Sequence, residues 1–400
     1  MRLISAHQTR PADDPIFALN REATERQKKG EAIVNATVGA LLDDDGKLSV
    51  LPTAARTLRE VPELEWATYA PIAGAPAYLN AVLDDFFASE PALREIAIAS
   101  ATPGGSGALR QALDNWLEPG QSLLTTSYYW GPYQTLCDES GRKLQTFRMF
   151  DDKGAFDVPA LDEALRRVIS SQGRALLFLN DPCHNPTGYS MTDDEWRAVV
   201  AVLRAHGERA PVTLLVDTAY FAYGARGAST FLPHLASLLG EVGLLFAWSA
   251  SKTFTHYGLR VGALLACIPD AAERKATDAA LSYTSRGTWS NCNRGGMFAV
   301  GKLLADAGLR AACDSERNVL RERLLARVAA FNAAAADKKL VYPRYDGGFF
   351  VTIFAEDAED RARRMREAGV YTVPSAGAIR VALCSVAERD VPRLVEELAR

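Results

Sequence analysis

Short apolar runs alternate with longer amphipathic segments along most of this chain, and that alternation limits its fold more than any other feature. Residues 123–124, 175–179, 212–216 and 244–248 read as strands, each bounded by turn residues or charge. Residues 106–117, 158–169, 193–206 and 230–239 carry helical spacing between them. Strand-helix alternation of this kind builds an α/β domain with a mainly parallel sheet. Ligands of such sheets bind beyond the carboxyl ends of the strands. The polar residues that follow each apolar run are therefore the candidates for function.

The pattern changes near Arg294. It becomes helical and rich in Ala, Leu and Arg as far as Ala336, and two strand-like pieces follow, 349–354 and 379–383, with a helix between them. This tail reads as a smaller α+β unit. A chain of 400 residues is too long for one compact core. The expected division is an N-terminal arm over 1–45 that joins the small unit, a large domain over 46–310 and a small domain over 311–400.

Composition narrows the partners. Charged residues make up 24% and the net charge is -4. Basic residues are scattered, so no nucleic-acid surface is expected. The densest basic stretch, 361–366, reads as a solvated helix face. No run of 18 apolar residues occurs, so no membrane span is expected. The six cysteines at 137, 183, 267, 292, 313 and 384 lack the close pairing of zinc or redox motifs. They read as small buried hydrophobes in a reducing, cytoplasmic setting, with no metal site. Residues 1–14 lack the apolar core of a signal peptide.

Four pieces carry chemistry. Ser249-Ala-Ser-Lys252 follows an apolar strand, with Arg260 eight residues on. A desolvated lysine near another cation loses its proton readily, and only the neutral amine attacks a carbonyl. Ser249, Ser251 and Arg260 have the donors for a phosphate dianion. Thr102-Pro-Gly-Gly-Ser-Gly-Ala-Leu109 opens a helix, where glycines and backbone N–H groups favour an anion. No Gly-Lys-Ser/Thr follows, so it is no nucleotide P-loop. The other reading of this piece is a glycine turn with a serine cap. Asp217 ends a buried run and needs a partner, such as a protonated pyridine nitrogen, although a helix cap or salt bridge would also serve. Tyr220 and Asn185, the latter in His184-Asn-Pro-Thr-Gly188, follow strands and have donors for a phenolic oxygen. Asn185 would otherwise be an Asn-Pro turn former.

Together, and in this order, these pieces resemble the class I aminotransferases, in particular the aspartate and aromatic amino acid branch. The likeness runs from Asp14-Pro-Ile-Phe-Ala-Leu19 to the C-terminal strand. It implies the type I fold of pyridoxal-phosphate enzymes. It also implies a homodimer with shared active sites, and transfer of an amino group from an amino acid to a 2-oxo acid. By resemblance, Lys252 is the Schiff-base lysine and proton carrier, Asp217 the pyridinium partner, and Tyr220 and Asn185 the contacts to the phenolic oxygen. Gly105, Ser106, Ser249 and Arg260 match the phosphate cup, to which Ser251 also belongs. Tyr69, in Ala67-Thr-Tyr-Ala-Pro-Ile-Ala-Gly74, matches a tyrosine that reaches the phosphate from the neighbouring subunit. Trp130 matches the aromatic stacked on the cofactor ring, and Trp130 and Asn185 also match residues that border the substrate. Arg380 matches the fork for the substrate α-carboxylate, and Gly39 a glycine in the loop over the substrate. Arg286 matches the arginine that reads a distal carboxylate across the dimer.

The chain departs from the family pattern at three places. Tyr133 stands where the aspartate branch has a histidine supporting the pyridinium carboxylate. Cys292-Asn-Arg294 replaces prolines, and the loop Val38-Gly-Ala-Leu-Leu42 is more apolar than usual. These touch substrate preference and the surroundings of Asp217. The competing expectations are a lyase or decarboxylase on the same scaffold, and a non-catalytic regulator that kept the fold.

Overall fold

The structure is a computed structural model that describes every residue except 1, 2, 5, 6, 9, 12, 13, 226–230 and 376. Its strands in chain order are β1 (Val34–Asn35), β2 (Ala97–Pro103), β3 (Ser122–Thr126), β4 (Lys143–Phe147), β5 (Ala175–Asn180), β6 (Val212–Asp217), β7 (Gly243–Ser249), β8 (Val261–Cys267), β9 (Phe350–Phe354), β10 (Val370–Tyr371), β11 (Val373–Ser375) and β12 (Ala378–Ala382). Seven of them form one sheet in the order β2-β8-β7-β6-β5-β3-β4. β3 to β7 run parallel, and β8 is antiparallel to both β2 and β7. β8 alone therefore points the other way.

The residues of β5 and β6 are buried throughout, as expected of central parallel strands covered on both faces. Alternate side chains enter opposite cores, which follows from the twofold period of a strand. Leu214 and Val216 pack into the core that holds Leu161, Leu165, Val199 and Leu203 of two flanking helices. Leu215 packs on the other side with Leu109 and Leu113 of the helix Gly104–Trp116.

A separate core lies in the C-terminal part. β11, β12 and β9 form an antiparallel sheet, and β1 pairs in parallel with β10. Val34 and Ala36 of the N-terminal arm share this core with Phe331, Ile353, Ile379 and Leu394. Arg327, fully buried on the long helix Ala307–Ala335, donates to the carbonyls of Cys384 (2.7 Å) and Leu42 (2.8 Å) and to Asp44. One guanidinium thus ties the arm to the tail.

The helical stretch 294–336 consists of two helices, Arg294–Ala305 and Ala307–Ala335, separated at Asp306, whose carboxylate caps the second. Two readings of the pattern need correction. Of the stretch 230–239, position 230 lies outside the described residues and the helix is only Leu232–Ala236. The glycine-rich helix starts at Gly104 and has no side-chain cap, so Ser106 lies inside the first turn rather than capping it. Strands β2, β4 and β8 have no counterpart in the pattern reading. β2 and β8 are rich in alanine and other small residues, and β4 is a partly exposed edge strand with Lys143, Gln145 and Thr146.

The two parts meet at the turn after β5. Thr352 donates to the Pro186 carbonyl at 2.8 Å, and Arg344 donates to the Ser190 carbonyl at 2.6 Å. Gly188 adopts φ +73°, and a Cβ there would lie 2.1 Å from the Phe350 carbonyl oxygen and 2.5 Å from Tyr345. Gly188→Ala is expected to destabilise the protein by about 1–3 kcal/mol, through strain and overpacking. Denaturant unfolding of the two proteins measures it, and equal midpoints would show that this junction yields without cost.

Candidate active site

Because β8 is reversed, its amino end lies at the same sheet edge as the carboxyl ends of β2, β5, β6 and β7. A cavity opens there. It is lined by residues that include Gly105, Ser106, Trp130, Asn185, Asp217, Tyr220, Ser249, Ser251, Lys252 and Arg260. Segments far apart in sequence meet at this edge, as expected of ligand sites in open α/β sheets.

Asp217 closes β6 and is buried. Its Oδ2 accepts from Tyr133 Oη at 2.7 Å, and its Oδ1 accepts from the Ala219 N–H at 3.1 Å. Burial raises its pKa, and these two donors and the charge of Lys252 oppose that rise. Asn180 fixes the neighbourhood by donating to the Asp217 carbonyl at 2.7 Å and accepting from the Asn185 N–H at 2.6 Å. The Asn185 amide in turn reaches Tyr220 Oη at 3.2 Å. Asn180 was not among the residues singled out from sequence, although it is the polar residue that ends the run 175–179.

Lys252 lies in a short helical turn, Ala250–Thr253, directly after β7. Its Nζ stands 5.2 Å from the centre of the Tyr220 ring. Burial lowers the lysine pKa, Asp217 opposes this, and Arg260 lowers it further. The shift brings the amine closer to its neutral, nucleophilic form.

The third part is a basic cup. Gly104, at φ +71°, lets the chain pass Arg260: a Cβ there would meet Arg260 Nη2 at 2.6 Å. The helix Gly104–Trp116 presents its uncapped N-terminal N–H groups here. Ser249 Oγ accepts from the Ser251 N–H at 3.1 Å, and Arg260 Nη1 lies 3.4 Å from Ser251 Oγ. The lining thus combines donors suited to a phosphate, a buried carboxylate suited to a protonated ring nitrogen, and an amine. These donors fit pyridoxal phosphate. Among the described residues, no group of three or more His, Cys, Asp or Glu is placed to hold a metal.

Arg380 and Gly39 both lie against Phe350, whose ring meets Tyr220 of the cavity edge-on at 5.7 Å. Arg380 donates to the Thr37 carbonyl at 2.6 Å and stacks 4.9 Å from the Phe350 ring centre, while its buried Nε has no partner. A Cβ on Gly39 would meet Phe350 Cζ at 2.4 Å. Two candidates are not brought to the cavity within this chain. The Tyr69 side chain is 89% exposed, and Arg286, also exposed, donates to Ser290 at 2.8 Å. His184 is buried with its pKa depressed to about 3, so it stays neutral, and it lies 2.9 Å from Thr187 Oγ1.

The family described as aminotransferase class I and II matches residues 31–398. The crystal structure of an aminotransferase from Anaerococcus prevotii DSM 20548 superposes with a TM-score of 0.92 at 34% identity, over 100% of this chain and 98% of that one. The aromatic-amino-acid aminotransferase of Escherichia coli K12 is 27% identical over 97% of each chain. The aspartate aminotransferase of Pseudomonas aeruginosa is 28% identical over 96% of each.

The lysine environment predicts a pH-dependent stability. A lysine whose folded pKa is depressed is charged in both states at low pH, where the cost of burying the charge is fully present. That cost fades as pH rises toward the unfolded value near 10.5. Cofactor-free Lys252→Met should therefore melt higher than the cofactor-free wild type, with a gain that shrinks as pH rises from 6 to 10. A gain independent of pH would show that Lys252 titrates normally.

Proposed function

The chain belongs to the class I and II aminotransferase family and is a pyridoxal-phosphate-dependent enzyme, and from that premise we propose the residues and the substrates that it uses. The family reaction moves an amino group from an amino acid to a 2-oxo acid. The observation that carries the assignment is the convergence of Lys252, Asp217 and the Arg260 cup on one cavity. Bound there, the cofactor supplies an electron sink.

In this proposal Lys252 would hold the cofactor, and its amine, released when the amino acid takes its place, would carry the α-proton. Asp217 would pair with a protonated ring nitrogen, Asn185 and Tyr220 would hold the phenolic oxygen, and Trp130 would pack on the ring. Gly105, Ser106, Ser249, Ser251 and Arg260 would hold the phosphate. Arg380 would fork the substrate α-carboxylate, for which a guanidinium has paired donors. Gly39 allows the loop 38–42 to lie close over the bound molecule.

We assign dicarboxylic and aromatic amino acids as donors, with 2-oxoglutarate as an acceptor. Relatives carry both names, aromatic-amino-acid and aspartate aminotransferase. Arg286 is a guanidinium suited to a distal carboxylate, and the apolar loop Ala40-Leu-Leu42 suits a ring. Arg286→Ala should cost glutamate and aspartate about 2–4 kcal/mol in kcat/KM and leave phenylalanine and tyrosine nearly unchanged. Steady-state kinetics with 2-oxoglutarate decide it. Equal losses for both classes would make Arg286 structural and sink the substrate assignment.

We further propose a homodimer that completes each site, because Tyr69 and Arg286 are exposed here and Leu64, Trp66 and Tyr283 add exposed apolar surface. The setting proposed is cytoplasmic, in keeping with six free cysteines. No described helix is long and apolar enough to cross a membrane. Mixing inactive Lys252→Ala with Arg286→Ala under subunit exchange should restore glutamate turnover, since one site per hybrid then has both residues. A fully active monomer in sedimentation would refute the shared site.

A further inference from the structure

We propose that a groove at the sheet edge opposite the active-site cavity is a second binding site, which takes a free amino acid with an aromatic side chain. The groove shares no residue with the active-site cavity.

Two adjoining hollows of about 280 Å³ and 230 Å³ form it. Trp116, Pro211, Thr213, Glu273 and Thr277 line both and make them one groove. It lies where β5, β6 and β7 begin and β8 ends, bordered by Ala175, Thr213, Gly243 and Cys267. Along β6, Thr213 stands roughly 13 Å from Asp217. Each hollow is smaller than the roughly 300–1,000 Å³ of pockets for drug-sized ligands, so the occupant is small.

The charges of the groove point to a zwitterion. Arg174 and Glu273 line the same hollow, and neither side chain has an ion pair or hydrogen bond among the described residues. The other acid that borders the groove, Glu241, is already held by Arg204 at 2.6 Å. Opposite charges that share a hollow without meeting suit the two ends of one molecule, the arginine fork a carboxylate and the glutamate an ammonium. The carboxyl end of the helix Gly104–Trp116 strengthens the second contact. Asn115 and Trp116 line the hollow there, and the last carbonyls of a helix carry partial negative charge. A simple anion or a simple cation would leave one of the two side chains unmatched.

Trp116 selects the side chain of the ligand. Its ring packs half-buried against the core that holds Leu109 and Leu113, and it lines both hollows. An aromatic ring in the groove therefore has an indole to pack on. The groove also lies away from the surface assigned to the partner subunit. Glu273 and Thr277 sit in the first half of the helix Ala271–Thr288 and Tyr283 and Arg286 in the second, with Glu273 and Arg286 roughly 20 Å apart along its axis.

The experiment labels the tryptophan indoles with ¹⁵N and assigns Trp116 and Trp130 through Trp116→Phe and Trp130→Phe. The holoenzyme is then titrated with phenylalanine, with 3-phenylpropionate, which lacks the ammonium, and with 2-phenylethylamine, which lacks the carboxylate. Phenylalanine should shift the Trp116 signal saturably, and each analogue should bind there at least about tenfold more weakly, as expected for a lost hydrogen bond between charged groups. Arg174→Ala and Glu273→Gln should weaken the phenylalanine response at Trp116 to a similar degree and leave the Trp130 response unchanged. Arg380→Ala, which removes the proposed carboxylate fork of the active site, should leave the Trp116 response intact. A Trp116 signal that phenylalanine does not move means a groove filled by solvent alone and overturns the proposal. Equal responses to the three probes, which wild-type protein alone suffices to read, overturn it too. A response that survives both groove substitutions, or that disappears in Arg380→Ala as a relay from the active site, does the same.

Discussion

A carboxylate buried at the end of a central strand has to be stabilised by whatever surrounds it, and Asp217 organises much of this molecule's functional edge. Charge in a low-dielectric interior persists only with donors and a counter-charge. The structure supplies Tyr133 and the Ala219 N–H on the two oxygens, with Lys252 as the nearby cation. Asn180 and Asn185 then lock the chain that follows β5 to the chain that ends β6. The same burial that makes the carboxylate costly also lowers the proton affinity of Lys252. The acid and the base of the site are therefore two consequences of one desolvated pocket.

The reversal of β8 is the second constraint. A sheet of uniformly parallel strands would place the residue before β8 at the opposite edge. With β8 reversed, Arg260 enters beside the start of the helix Gly104–Trp116, and the two make one basic cup. The contact is close. A Cβ at Gly262 would lie 2.5 Å from the backbone of Gly104, and one at Gly104 would meet the Arg260 guanidinium. The glycines here serve close approach of backbone to backbone and of backbone to arginine.

The small unit is held to this edge by polar contacts and by Phe350. That ring lies under Arg380, against Gly39, and edge-on to Tyr220 at 5.7 Å. Arg327 fixes the loop after Gly39 from the other side, through the Leu42 carbonyl. The position of the Arg380 guanidinium relative to the cavity is thereby set by elements from three distant parts of the chain.

Much of this was legible in the sequence. The alternation of β5, β6 and β7 with helices, and the polar residue after each, followed from hydrophobic periodicity. Lys252, Asp217, Asn185 and Tyr220 were singled out because a polar group that closes an apolar run lies at a sheet edge. The strands β2 and β8 were not legible, because alanine and other small residues carry little local preference and become strands only when paired with neighbours. The hydrogen bond from Tyr133 to Asp217 joins residues 84 positions apart, and no local pattern specifies such a partner. The sequence by itself determined which residues could do chemistry, since residue type and strand periodicity are local properties. Only the tertiary structure decided which of them meet, because the direction of β8, the packing under Trp130 and the burial that shifts Lys252 and Asp217 are properties of the assembled sheet.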